Sequence, residues 1–288
     1  MIAIPIAAAV IYGFALAHYK WAITRTSLET KHFLTVHFTA LFLVAIGVAA
    51  AWGDFATPIF SSSRYIFLLA LMVVFGLVHN YFLARGLKRE SLHEYELIDL
   101  LIPIFSILLA ALAFADERNL VRLVLALFGT SAFLLTHLKH HHFRFKQADR
   151  WLIYAVFLMA FERVLVKPLL TLADPSVLYA LRTGWIALFL LLMFRPRFRT
   201  ITLFDWTQIL INALLGVAAM NLIWTSIGYY GVVVTELYLL ITPMVMAVIS
   251  LVMFKERWTV AQVTAFAVIL FCIAMVNVSD WLPILANN

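Results

Sequence analysis

The sequence predicts an all-α membrane protein of ten transmembrane helices, arranged as two similar halves. Three observations lead to this fold class. The chain of 288 residues is 65% hydrophobic and only 12% charged, with a mean hydropathy of +0.99. Its apolar residues fall into runs long enough to cross a bilayer, and one local pattern occurs twice. Soluble domains are about 45–50% apolar and about 25% charged, so most of this surface requires lipid as its solvent.

Ten apolar segments can be drawn, each near the ~20 residues that cross a hydrocarbon core of ~30 Å. In the first half they cover 3–19, 33–52, 64–84, 96–115 and 119–138. In the second half they cover 151–166, 176–194, 205–228, 232–254 and 258–279. All are expected to be helices, because an isolated strand would leave its backbone groups unpaired in hydrocarbon. The first lacks a basic start and a cleavage site, which predicts a retained helix rather than a signal peptide.

The repeated pattern is a glutamate followed seven residues later by a proline. It runs from Glu96 to Pro103 and again from Glu236 to Pro243, about 140 residues further along. The apolar run after each copy ends at a Glu-Arg pair, Glu117-Arg118 and Glu256-Arg257. The chain therefore divides into a first repeat at 1–138, a basic His-rich linker at 139–150 and a second repeat at 151–288. Duplicated halves are typical of membrane transporters, whose substrate site lies where the halves meet.

The fourth and ninth segments carry acidic residues on the same face as their prolines. Glu96, Asp99 and Pro103 follow the i, i+3/i+4, i+7 spacing of one helical face, as do Glu236 and Pro243. A proline removes a backbone donor and weakens the helix, which suits a gate, although most such prolines are packing kinks.

Glu236 lies about 6–8 Å into its span at 1.5 Å rise per residue. A carboxylate there costs roughly 2.5–3.5 kcal/mol, so it should face a cavity or a partner and is a candidate for binding a proton or a cation. Glu96 and Asp99 are candidates for the same role. Glu96 follows a polar connection and has the alternative of capping a helix among the lipid headgroups.

Polar residues recur at nearly equivalent positions of the third and eighth segments. Asn80 and Asn221 are separated by about one repeat, and Trp224 lies one turn after Asn221. Amides and aromatic rings that face a cavity can fix a small polar ligand. Hydrogen bonds between helices are the equally weighted alternative for the two asparagines.

Three further charges lie inside the sixth and seventh segments. Glu162 and Arg182 are predicted to form a salt bridge across the bundle, whereas Arg163, adjacent to Glu162, points about 100° away from it. The alternative is that Arg163 or Arg182 binds an anionic group of a substrate. Tyr12 in the first segment is a weaker candidate for the same site, as are His18 and His37.

No cofactor or metal is expected. The single cysteine, Cys272, excludes a disulfide within the chain and any multi-cysteine cluster. The histidines at 137 and 140–142 suggest a metal site, but their basic surroundings favour a linker held against anionic headgroups. The sequence lacks a phosphate-binding loop, a dinucleotide-binding turn, a zinc-protease motif and a nucleophile elbow, so an enzyme is not predicted.

Two five-helix repeats, a proline within the fourth helix of each and a Glu-Arg pair at the following turn resemble the drug/metabolite transporter superfamily, in its EamA-type ten-helix branch. The resemblance covers essentially the whole chain and is strongest at 80–138 and 221–279. It implies two inverted repeats around a central cavity, lined largely by helices 1, 3, 4, 6, 8 and 9, with alternating access. It also implies that both termini lie in the cytoplasm.

The distribution of basic residues predicts the opposite orientation. The connections after segments 1, 3, 5, 7 and 9 hold fifteen lysines and arginines, and the other face holds four. The positive-inside rule places the fifteen in the cytoplasm and both termini outside. We expect a multi-pass protein of the bacterial inner membrane.

The sequence therefore predicts a secondary transporter for a small polar metabolite, either an amino-acid-like zwitterion or an organic cation, driven by protons or by exchange. Its expected partners are the substrate, protons or a counter-substrate, and membrane lipids, with no nucleic acid, in a monomer or homodimer. The alternatives are a flippase for a lipid-linked headgroup, a transporter of anionic or phosphorylated metabolites, and a membrane protein that kept the fold without transporting.

Overall fold

The computed structural model describes residues 2–55, 58–89, 95, 98–138, 147–196, 198–254 and 260–286. These residues form helices, short 3-10 turns and connections, with no β-strand among them. The first half holds α1 (Ala3–Arg25), α2 (Thr30–Trp52), α3 (Ser63–Leu87), α4 (Leu101–Ala113) and α5 (Leu120–Leu138). The second half holds α6 (Gln147–Leu169), α7 (Pro175–Phe194), α8 (Leu203–Leu239), α9 (Ile241–Phe254) and α10 (Val260–Ala286).

The helices have the length and composition of membrane spans. In the described residues, α1, α2, α3, α7 and the stretch Leu203–Ile249 are long and apolar enough to cross a bilayer, and shorter apolar helices accompany them. Large apolar side chains cover the outside of the bundle, among them Phe67 at 63% and Leu192 at 61% exposure. An outer surface of this kind suits lipid rather than water.

Two proline-linked breaks interrupt the helices at corresponding points of the two halves. A turn at Leu100 precedes α4, and a turn at Leu240 separates α8 from α9. Each turn lies three residues before a proline, Pro103 or Pro243, because the proline ring cannot accept a regular helix on its N-terminal side. The weakening that the prolines predict is therefore present in both halves.

The chain breaks where the sequence predicts the gap between the eighth and ninth segments. Helix α8 (Leu203–Leu239) consists of two helical parts, 203–230 and 232–239, which meet at a kink inside the predicted gap at 229–231. The interruption inside it is a single residue, Gly231, with φ of +83°. Glycine adopts this left-handed backbone without strain, so the chain changes direction there without a loop.

Helix pairs connect the two halves in a regular way. Helix α1 packs mainly on α8, and its counterpart α6 packs on α3, the counterpart of α8. Likewise α2 packs on α7, and α5 on α10. This pattern is unchanged when each helix is exchanged for its counterpart in the other half, as a duplicated fold requires. The ten-helix inverted repeat itself stays a prediction.

The Glu-Arg pair of the first half caps two different helices. The Glu117 carboxylate accepts hydrogen bonds from the backbone N–H groups of Val232 and Val233, at 2.7 and 3.2 Å. Arg118 donates to the carbonyl oxygens of Ala111 and Leu112 at the end of α4. An anion at a helix start and a cation at a helix end both oppose the helix dipole. Glu117 therefore attaches the turn after α4 to the segment that follows Gly231.

Candidate functional site

A cavity of about 100 Å³ lies where α1, α2 and α3 of the first half meet α6, α7 and α8 of the second. This central cavity has room for roughly seven to ten water-sized groups at 10–15 Å³ each. Its walls combine aromatic rings with ionisable and amide groups: Tyr12, Tyr19, His79, Asn80, Tyr179 and Trp224. Walls of this composition surround small polar ligands in many proteins.

A buried cluster of charge lies on one wall of the central cavity. Glu162 on α6 forms an ion pair with the Nε of Arg182 on α7, as the sequence predicts. The second oxygen of Glu162 lies 3.3 Å from Nδ1 of His79 on α3. All three side chains are at least 93% buried. Three helices therefore contribute side chains to one charged cluster in the wall of the cavity.

Neighbouring residues hold this cluster in place. A Cβ added at Gly76 would lie 2.7 Å from the Nη2 of Arg182, so the glycine makes room for the guanidinium against α3. The same guanidinium lies 5.8 Å from the centre of the Tyr179 ring. The Asn80 amide donates to the carbonyl oxygen of Gly76 at 2.7 Å. Because Gly76 admits Arg182, its lack of a side chain is part of the site.

Arg163 and Glu236 form a second buried ion pair. The Nη1 of Arg163 lies 2.6 Å from Oε2 of Glu236, and the two side chains are 4% and 1% exposed. The other carboxylate oxygen of Glu236 and the Nε of Arg163 have no hydrogen-bond partner among the described residues. Arg163 also lies 5.8 Å from the centre of the Tyr12 ring. The expectation that Glu236 faces a partner is confirmed, and that partner is Arg163.

A small second cavity of about 10 Å³ brings the two proline-linked breaks together. Pro103, Pro243, Asp99 and Glu236 all line it, as do Tyr12 and Arg163, which also line the central cavity. Asp99 accepts a hydrogen bond of 2.6 Å from Tyr95. The residues of the predicted acidic faces therefore meet, next to the central cavity rather than in its walls.

Two expectations about the cavity lining are wrong for the described residues. The fourth and ninth helices do not line the central cavity, and α2 and α7 take their place. The reason is packing: α4 lies against α6 and α9 against α1, and the first turns of both helices, with Pro103 and Pro243, line the small cavity instead. Asn221 lines neither cavity, and its amide donates to the carbonyl oxygen of Val217 within α8 at 2.9 Å.

Trp224 and Asn80 do line the central cavity. The Trp224 ring lies edge-on to Tyr179, with ring centres 5.2 Å apart. Glu96 and the histidines at 140–142 lie outside the described residues. Within the described part of the chain, no three His, Cys, Asp or Glu side chains come together as metal ligands.

The sequence analysis did not single out Tyr19 and gave His37 little weight. Both side chains line the central cavity and are buried. The Tyr19 hydroxyl and the Nδ1 of His37 have no hydrogen-bond partner among the described residues. The rings contact each other edge-on at 5.2 Å, and His37 stacks on Phe33. The available signal was the spacing of Tyr12 and Tyr19, seven residues apart on one helical face.

The apolar helices and the charged interior define an integral, multi-pass membrane protein. Residues 147–278 match the sequence model of the EamA-like transporter family. The resemblance to the drug/metabolite transporter superfamily is thereby confirmed, with a match that falls in the second half of the chain. The match indicates a membrane transporter of that superfamily.

The fold is also similar to a solved crystal structure. The TM-score is 0.67, and the similarity covers 93% of this chain and 97% of the other at 16% sequence identity. At this identity the likeness concerns the fold alone. No curated protein matches the sequence.

Proposed function

We propose that the chain is a secondary transporter that moves a small zwitterionic metabolite through the central cavity by alternating access. The observation that carries this proposal is the ion pair of Glu162 and Arg182 in the wall of a cavity between the two halves. Membrane transporters commonly bind substrate at such a contact between repeats. A cavity of about 100 Å³ suits a metabolite of few atoms.

The pairing of charges favours a zwitterion over a singly charged substrate. Removing one partner from a buried ion pair costs about 3–5 kcal/mol, because the other charge stays buried without compensation. A zwitterion supplies both replacement charges, with its carboxylate at Arg182 and its ammonium group at Glu162. An organic cation would pair with Glu162 and leave the charge of Arg182 uncompensated. Of the two predicted substrate classes, organic cations are therefore the less favoured.

Tyr19 and His37 supply hydrogen bonds to the uncharged part of the substrate. Both side chains line the cavity, and their polar atoms are buried and have no partner among the described residues. An unsatisfied buried polar group costs about 1–3 kcal/mol, which a substrate group recovers when it binds. The aromatic surfaces of Trp224 and Tyr179 would then pack against the remaining apolar part of the substrate.

Coupling of transport to protons or to exchange acts through Arg163 and Glu236. Glu236 lies one turn before the break at Leu240, and Arg163 borders both cavities. Protonation of Glu236 would release Arg163 and allow the broken helix to move against α6. Asp99, which lines the same small cavity from the first half, would be the alternative partner of Arg163.

A flippase for a lipid-linked headgroup is the second candidate. An apolar groove of about 570 Å³ lies between α2 and α7, lined by Phe42, Phe60, Leu181 and Trp185 among others. A groove of this composition could hold an acyl chain while its headgroup enters the bundle. A third class, a transporter of phosphorylated metabolites, would require both Arg163 and Arg182 to give up their carboxylate partners.

Tracer uptake into proteoliposomes tests the substrate class directly. Each amino acid is compared with the amine that lacks its carboxylate and with the acid that lacks its amino group. We expect uptake of zwitterions only, lost in Glu162→Gln and in Arg182→Gln. The exposed Arg195→Gln variant serves as the matched control. Equal uptake of the amines would contradict specificity for zwitterions. Transfer of a fluorescent lipid without uptake of any of these compounds would favour the flippase.

A further inference from the structure

A basic pocket of about 560 Å³ lies between the start of α2 and the end of α3, away from both cavities described above. Thr30 and Tyr81 form part of its wall. Its charged lining, as far as the structure describes it, consists of one carboxylate and four cations: Glu29, Lys31, Arg85, Lys88 and Arg89. The proposed transport mechanism uses none of these residues.

Neutral groups hold two of the cations in position. The Arg85 guanidinium lies over the Trp151 ring at 4.7 Å and donates to the Tyr81 hydroxyl at 3.4 Å. The Lys88 ammonium donates to the carbonyl oxygen of Leu28 at 3.2 Å. Neither contact neutralises a positive charge. Both cations are thus oriented by the fold while their charge stays available to a ligand.

Among the residues that the structure describes, negative charge does not compensate the pocket. Glu29 pairs with Lys31 at 3.0 Å, and this contact lowers the pKa of the Glu29 carboxyl. That pair is neutral as a unit. The end of α3 contributes the equivalent of about half a negative charge through its dipole. The three charges of Arg85, Lys88 and Arg89 exceed this half charge, so the described lining of the pocket keeps a positive charge of more than two.

We infer that the basic pocket binds a phosphate-bearing anion. Phosphate oxygens accept hydrogen bonds from arginine and lysine together, and arginine matches their geometry in pairs of bonds. The pocket lies where one apolar helix begins and another ends, which is the level of the lipid headgroups. An anionic phospholipid or a soluble phosphate compound presents the same group to these residues.

Binding to the purified protein in detergent tests this site. The probes are short-chain phosphatidylglycerol, short-chain phosphatidylcholine and inorganic phosphate. The test variant is Lys88→Gln/Arg89→Gln, since both side chains are exposed. Arg85→Gln is the second variant. The control is Arg195→Gln/Arg199→Gln, which removes two exposed charges from a loop outside the pocket. Melting temperatures without lipid verify that each variant is folded.

We expect phosphatidylglycerol to bind more tightly than phosphatidylcholine. Two charges near a headgroup correspond to about a thirtyfold loss of affinity in the test variant, with no loss in the control. Competition by inorganic phosphate would assign the site to soluble phosphate compounds, and its absence would assign it to the lipid. Equal affinity for the two lipids would overturn the inference. Equal losses in the test and control variants would overturn it as well.

Discussion

Arg163 and Glu236 form a 2.6 Å ion pair in the interior of the bundle, one turn before the chain breaks at Leu240. Arg163 belongs to α6, which borders both cavities, and Glu236 belongs to the end of α8. The pair therefore connects the wall of the central cavity to a helix break. A change in the charge of either residue would act on the geometry of that break.

The two partners of this pair are expected to depend on each other. Glu236→Gln leaves the Arg163 charge buried and uncompensated, which costs about 3–5 kcal/mol of stability. The double variant Arg163→Met/Glu236→Leu removes both charges and should be more stable than the single variant. Melting temperatures in detergent measure this difference. A double variant that melts below Glu236→Gln would contradict the pairing.

Gly76 is expected to be necessary for the position of Arg182. In Gly76→Ala the added methyl group meets the guanidinium at 2.7 Å and displaces it from Glu162. Transport should fall, although alanine is the better helix former by about 0.8–1.0 kcal/mol. Gly47→Ala is the control, because a Cβ there has no neighbour within 4 Å. It should keep full transport and gain stability. Equal transport in both variants would argue against a role for the Arg182 geometry.

Binding of the uncharged part of the substrate is expected to depend on one ring nitrogen of His37, Nδ1. Asparagine places an amide near the position of Nδ1, whereas leucine places no polar atom there. His37→Leu should raise the apparent KM about tenfold, the equivalent of one lost hydrogen bond, and His37→Asn should raise it less. Tyr19→Phe tests the second atom by removing only the hydroxyl. The exposed Tyr154→Phe is the control. An unchanged KM in His37→Leu would remove these residues from the substrate site.

The Glu117 cap is expected to stabilise the whole bundle. Its carboxylate accepts two backbone hydrogen bonds and pairs with Lys167 at 2.6 Å, whereas a glutamine oxygen offers no charge. Glu117→Gln should lower stability by about 1–3 kcal/mol.

Asp116→Asn is the matched control, since Asp116 also pairs with Lys167 but is 71% exposed. The hydrogen bond from Lys167 lowers the pKa of the Asp116 carboxyl. The small contribution of the Asp116–Lys167 pair to stability is therefore present at neutral pH. It is lost as the pH falls through the lowered pKa of the Asp116 carboxyl. Thermal unfolding at pH 7 measures both variants, and a larger loss in Asp116→Asn than in Glu117→Gln would contradict the cap.

The charge distribution predicts the orientation of the chain in the membrane. Thr24, near the end of α1, and Ala115, after α4, are exposed at opposite ends of the helix bundle, and so on opposite sides of the membrane. Cys272 is fully buried and gives no background in thiol labelling. A membrane-impermeant reagent added to intact cells should label Ala115→Cys and spare Thr24→Cys. The reverse result would place both termini in the cytoplasm, as the family resemblance implies.

Part of the site could be predicted from the sequence, because isolated charges in apolar helices need partners. This argument leads from Glu162 and Arg182 to their ion pair, and from Glu236 to a partner somewhere in the bundle. The prolines likewise indicate the breaks at Leu100 and Leu240. In each case an unsatisfied polar group would be costly in lipid, so very few arrangements of the side chain or backbone are possible.

The rest depends on packing between helices that are distant in sequence. Which helices line the central cavity follows from how α4 and α9 lie against their neighbours, and no local pattern encodes that. The target of Glu117 is 115 residues away. Asn221 shows the limit from the other side, because its match with Asn80 predicts a shared role. Both amides donate to the carbonyl oxygen four residues earlier in their own helix, yet only Asn80 lines the central cavity.

The most direct test of the account is the pH dependence of transport in Glu236→Gln. Currents from proteoliposomes on a solid-supported membrane, together with tracer exchange, are recorded for zwitterionic amino acids at two pH values. Glu236→Asp, which keeps a titratable carboxyl, is the control, and equal amounts of folded protein are reconstituted. The account predicts pH-dependent transport in the wild type and in Glu236→Asp, with transport lost or independent of pH in Glu236→Gln. Normal transport with an unchanged pH dependence in Glu236→Gln would contradict it.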